Sequence, residues 1–209
     1  MTEPHCCNDA VFISSFEGWR ALPQLLRLLA KGEPIDLLEL ANIGGQSGSD
    51  LERALRAQPG TEWDDQGRLI GFGLTPKPTD YRFLIGGKTL YTWCASDTLF
   101  FTVILGEETV AESICPATGV PIRLEITPDG VASVTPPDTV VSQRHKSEYV
   151  GNLRSDVCDH GHFFASTSAA AGWLVEHPEG NVLSIGEAFA ECRTACEELG
   201  WIAPGVSGG

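Results

Sequence analysis

The chain has 209 residues, 42% of them hydrophobic and 20% charged, the balance of a globular fold with one substantial core. Its formal net charge of −14 and pI near 4.6 argue against a polyanionic partner, because nucleic acid or an anionic membrane would be repelled by the summed field. Apolar runs such as "ALPQLLRLLAKG" break well short of the ~20 residues a membrane span needs, and the start "MTEPHCCNDAVFISSFEGWR" lacks a basic segment followed by an apolar one, so a cytoplasmic location without a signal peptide is expected.

Residues 1–18 read as a mobile tail. "WRALPQLLRLLAKG" then has leucines at helical spacing, Pro23 near its start and Gly32 as its stop. "IDLLELANIGG" reads as a second short helix ending at Gly44 and Gly45. "SGSDLERALRAQPG" reads as a third, with Ser49 as N-cap and Gly60 beyond its end. Two short runs around Asp64, Asp65, Gln66 and Gly67 form a predicted hairpin. Three helices and a hairpin make a winged-helix-like module over 19–76. Its third helix carries only Arg53 and Arg56 as basic residues, beside Asp50 and Glu52, so a structural role is expected rather than DNA binding.

"TPKPTD" (75–80) reads as a linker to a second region, 80–203. There "YRFLI", "KTLYTW", "TVAESIC", "VPIRLEI", "VASVT" and "TVVSQ" are predicted strands. "CASDTLFFTVILG" is a predicted helix, with Thr92 able to cap its start and Gly106 closing it. "HFFAS" is a short strand, followed by two helices, "TSAAAGWLVEHPEG" and "SIGEAFAECRTACEELGW", the latter with Ser184 and Glu187 spaced as a capping box. The tail 204–209 should fray. The expected fold is mixed α+β: the N-terminal module packed on a strand-rich catalytic region with flanking helices.

Seven cysteines, an odd number with Cys6 and Cys7 adjacent, exclude a fully paired disulfide framework and direct attention to sulfur chemistry. Cys94 and Asp97 stand three apart at a helix N-terminus. Two readings stay open there: a core cysteine with a capping aspartate, or a soft nucleophile beside a proton carrier. In the second, the helix terminus favours a Cys94 thiolate and apolar surroundings raise the Asp97 pKa. In "SDVCDHGHFFAS", Cys158, His160 and His162 alternate as on one side of a strand. Three readings stay open: a zinc site, which needs a fourth ligand and matches no common finger spacing; a Cys/His catalytic pair, which needs an oxyanion hole; or a cysteine working with Cys94, with structural hydrogen bonding as the alternative for each histidine. Cys115, before a turn, reads as packing. Cys192 and Cys196, four apart on the last helix, either share a metal or link, or face the core. Cys6 and Cys7, beside His5, either capture a thiophilic metal or have no role.

"YTWCASDTLFF", then "CPATGVPIRLEITPDGV", then "DVCDHGHFFAS" together resemble the bacterial organomercurial lyase (alkylmercury lyase) family. With the preceding helices and hairpin, similar to that family's N-terminal portion, the resemblance covers nearly the whole chain. It implies carbon–mercury bond cleavage by protonolysis, with Cys94, Asp97 and Cys158 as catalytic residues and mercury ligands and Cys115 as structural. It further implies no organic cofactor, an organomercurial substrate, low-molecular-weight thiols for release, and a mercuric reductase as recipient of mercury(II). The chain departs from the family pattern at Ser96, where a larger apolar residue can stand, and at Asp159, where a second cysteine can. Asp159 should raise the pKa of Cys158. The alternative is a non-catalytic, thiol-rich metal-binding or metal-sensing protein.

Overall fold

The computed structural model describes residues 19–43, 48–144 and 152–203. The expected tails 1–18 and 204–209, with Cys6 and Cys7, and the glycines 44 and 45 at the end of the second helix lie outside the described residues. After a 3-10 turn at Trp19–Ala21, helix α1 (Leu22–Leu29) has Pro23 in its first turn and buries Leu22, Leu25, Leu26 and Leu29, one stripe at helical spacing. The chain turns away at Gly32, whose φ of +74° suits glycine. Helix α2 (Leu37–Ala41) opens on a reciprocal Asp36/Glu39 capping box. Helix α3 (Gly48–Ala57) begins two residues earlier than expected, so Ser49 lies in its first turn and not ahead of it. Strands β1 (Glu62–Trp63) and β2 (Leu69–Gly71) form the hairpin. Asp64 holds its turn, accepting the N–H groups of Gln66 and Arg68 at 2.9 Å each.

The second region is built on a six-stranded antiparallel sheet in the order β3-β5-β4-β6-β7-β8. Its strands are β3 (Leu74–Thr75), β4 (Tyr81–Ile85), β5 (Lys88–Thr92), β6 (Thr109–Ile114), β7 (Pro121–Thr127) and β8 (Gly130–Thr135). In β7 burial alternates residue by residue, as a sheet with one covered face requires. The covering helix α4 (Ala95–Leu105) is apolar on all sides and packs on β4, β5 and β7 as well as on α1 and the last helix. Gly106, at φ +71°, ends it as expected.

A second, three-stranded sheet has β9 (Val140–Arg144) between β10 (Phe163–Phe164) and β11 (Gly180–Ser184). Strand β11 was not anticipated: "GNVLS" is short and flanked by turn residues, and its strand character comes from pairing with β9. Before β10 come a one-turn helix α5 (Leu153–Asp156) and a 3-10 turn at Cys158–His160. The alternation of Cys158, His160 and His162 therefore marks a turn and not a strand face. Helix α6 (Ala171–Glu176) and helix α7 (Ile185–Glu198) follow, α7 opening on the Ser184/Glu187 capping box. Among the described residues no helix is long and apolar enough to cross a membrane.

Candidate active site

Cys94 is the N-cap of α4, with extended backbone (φ −144°, ψ 173°), and Asp97 is the third residue of the helix. The two form a reciprocal capping box: the Asp97 carboxylate accepts the Cys94 N–H at 3.2 Å, and the Asp97 N–H faces the Cys94 sulfur. Thr92, expected to cap the helix, instead donates its hydroxyl to the Cys94 carbonyl at 2.8 Å. The capping geometry expected of the Cys94–Asp97 pair is present. Capping is the device that sets a carboxylate beside a buried thiol.

The second thiol arrives on the turn that follows α5. Cys158 is 4% exposed and Cys94 2%. Gly161, between the turn and β10, accepts the Ala95 N–H at 3.0 Å and so ties the turn to the first residue of α4. A side chain at 161 would stand 3.2 Å from the Cys94 Cβ and 3.4 Å from its sulfur, so glycine lets the turn lie against Cys94. The two Sγ atoms and a carboxylate oxygen of Asp97 all lie within 4.8 Å of one another, the one such trio among the described residues.

The electrostatics order the two sulfurs. A hydrogen bond from Cys158 favours ionisation of Cys94, but burial and the Asp97 charge outweigh it and leave its pKa raised. Cys158 is raised further, because it donates that bond, is buried, and faces the charges of Cys94, Asp97 and Asp159. The expectation of a resting Cys94 thiolate is corrected: desolvation defeats the helix terminus, and Cys94 is only the first of two thiols to ionise. The expected influence of Asp159 on Cys158 is present.

Both histidines are held in structural hydrogen bonds. His162 Nδ1 lies 2.7 Å from the Tyr81 hydroxyl. Burial lowers the His162 pKa and raises that of Tyr81, so the neutral forms of both are favoured and the bond between them holds one shared proton. His160 accepts from Arg144 at 2.7 Å and meets His177 edge to face. Cys115 is buried and free. Burial raises its pKa, but hydrogen bonds from the Thr118 hydroxyl and the N–H groups of Ala165, Ala117 and Thr118 bring it below the ordinary value. Cys192 and Cys196 form no disulfide and are buried in the core, Cys196 pushed up to about 12 by desolvation. Tyr81 and Ser142, which hold the turn, escaped the sequence reading because a tyrosine opening a strand and a serine inside one carry no distinguishing pattern.

A buried dithiol with an adjoining carboxylate, set at the start of a helix in an α+β frame, is a donor set that suits a soft, thiol-seeking electrophile. The chain belongs to the alkylmercury lyase family, enzymes that split carbon–mercury bonds in mercury detoxification. The family model described as alkylmercury lyase matches residues 74–196, and that of the helix-turn-helix domain of alkylmercury lyase matches residues 15–73. The alkylmercury lyase of Streptomyces lividans is 42% identical over 181 residues, covering 87% of this chain and 82% of that protein. Those of Bacillus cereus and Pseudomonas putida are 42% and 41% identical over 165 residues, covering 79% of this chain and 75% and 77% of theirs. In fold, the chain is similar to the crystal structure of the mercury-bound form of MerB2, with a TM-score of 0.73 over 92% of this chain and 98% of that one, at 22% identity.

Proposed function

We propose that Cys94, Cys158 and Asp97 carry out the carbon–mercury cleavage by protonolysis. The observation behind this reading is the trio of ligand atoms within 4.8 Å at the start of α4. The substrate arrives as R–Hg–SR′. Cys94 displaces the thiol, its own proton leaving with R′S–H, and forms R–Hg–S. Cys158 then passes its proton to the Asp97 carboxylate as its sulfur joins mercury. Two thiolates push electron density onto the metal and so onto carbon, which becomes basic enough to take the proton from Asp97. The C–Hg pair becomes a C–H bond, and R–H departs with no change of oxidation state. Two external thiols then take mercury(II) as Hg(SR′)₂ and return a proton to each cysteine.

No organic cofactor enters these steps. The natural recipient is a mercuric reductase in the cytoplasm. The working units are the module 19–76 and the catalytic region 80–203. The module acts as structure and not as a DNA reader: on α3, Arg53 pairs with Asp50 at 2.9 Å, and Arg56 pairs with Glu52 at 2.7 Å while lying 4.0 Å over the Trp63 ring. Sequence-selective, salt-dependent retardation of duplex DNA would contradict that part. Incubation with phenylmercury and excess thiol should yield more than one benzene per protein. A single equivalent of bound mercury without benzene would instead mark a metal-binding or metal-sensing protein.

A further inference from the structure

We infer that Ser142 is a positioning residue for the reaction, holding Cys158 where both sulfurs can take the same mercury atom. The inference rests on the two-thiol reading above. Ser142 sits in the middle of β9, fully buried at 0% exposure. Its hydroxyl donates to the His160 carbonyl at 2.7 Å and accepts the His162 N–H at 2.9 Å, using its donor and a lone pair together. Its own N–H donates to the His162 carbonyl at 2.9 Å. One residue therefore grips the chain on both sides of Gly161, and Gly161 is the residue bonded to Ala95 beside Cys94.

The carbonyl of Cys158 is also engaged, accepting the Gly161 N–H at 3.1 Å. The carbonyls of residues 158, 160, 161 and 162 thus all have protein donors, and Ser142 supplies two of those donors. Among the described residues, no other side chain links this turn to the centre of the three-stranded sheet by both donating and accepting. Without the hydroxyl, the His160 carbonyl loses its donor and the His162 N–H its acceptor. The cheapest repair is for the turn to lift toward water, carrying Cys158 away from Cys94.

Misplacement of a reacting group by about 1 Å can cost ~10²-fold in rate. In Ser142→Ala the first capture, by Cys94, should survive, while the second thiol and its proton arrive late. The phenylmercury kcat should therefore fall by ~10–10²-fold with KM changed by less than about 2-fold. X-ray absorption of the protein loaded with one equivalent of mercury(II) should show two sulfur neighbours in the wild type and one in Ser142→Ala. Ser142→Thr keeps the hydroxyl and should retain two sulfurs and most of kcat. Folded Ser142→Ala with two sulfurs and wild-type kcat overturns the inference, as does folded Ser142→Thr that behaves like the alanine variant. Failure of Ser142→Ala to fold would make the hydroxyl a requirement of the fold and equally overturn a positioning role. Wild-type protein that releases no benzene would defeat the lyase reading itself, whatever the variants do.

Discussion

Each member of the trio has one replacement that separates its role from its place in the fold. Cys94→Ala and Cys158→Ala should abolish turnover while the far-UV spectrum stays that of the wild type, because a methyl group cannot stand in for a soft thiolate. Either variant turning over near the wild-type rate would end the two-sulfur mechanism. Asp97→Asn keeps the shape of the capping box but removes the proton carrier. It should bind organomercurial, visible as a mass adduct, while hydrocarbon release falls by ~10²–10⁴-fold. Undiminished release would leave the proton to come from another group. Burial also gives this protein a pH signature away from the trio. Cys196 is pushed up to about 12, so the fold favours its neutral form. A group raised in this way contributes stability that is whole below the unfolded value near 9.0 and drains away as pH climbs from there towards about 12. At about pH 10.5 the loss should be ~2 kcal/mol, with the raised thiols of Cys94 and Cys158 acting in the same direction. Urea unfolding of Cys196→Ala should therefore depend less steeply on pH above 9 than the wild type does, and equal slopes would refute the assignment.

At the scale of elements, regular strands and helices were legible and irregular connections were not. The strands from Tyr81 to Arg144 declare themselves by β-branched and aromatic residues between glycine and proline breaks, and α4 by its length and Gly106. Cys94 and Asp97 were legible as neighbours because a spacing of three at a helix start has one geometry. Their partnership with Cys158 was different. It is made by a turn whose shape comes from Ser142, Tyr81 and Ala95, residues 16 to 77 positions away, so in the sequence it is one of several open readings of Cys158 until the resemblance singles it out. Strand β11 was missed for the same reason, since pairing with β9 creates it. The turn after Cys115 tests how such connections are held. Its sulfur accepts the Ala165 N–H, just beyond β10, as well as two N–H groups of its own turn. Cys115→Ala strips those donors and should cost on the order of 1–2 kcal/mol in denaturant unfolding, with turnover retained by the folded fraction. Folded protein without turnover would require a chemical role for Cys115.

At the scale of the molecule, Glu62 joins the two regions. Its carboxylate, from the hairpin of the N-terminal module, accepts from the Thr75 hydroxyl at 2.8 Å and from the Trp93 indole at 3.3 Å, the residue next to Cys94. Lys77 at 3.4 Å and Arg154 at 3.9 Å complete the set, and Arg154 also lies 5.2 Å from the Trp93 ring. One carboxylate thus touches the hairpin, the start of the large sheet, the residue before α4's cap and the helix that leads into the Cys158 turn. Pulling the module away would strand that charge without Trp93, Lys77 and Arg154, so the module has no cheap way to melt first. Heating should accordingly give one calorimetric peak whose van't Hoff and calorimetric enthalpies agree, instead of an early shoulder from the helices and a later one from the sheets. In Glu62→Ala the shoulder should appear. The helix-turn-helix module would then be seen for what the carboxylate makes of it, a part of the catalytic body's cooperative unit and not a passenger.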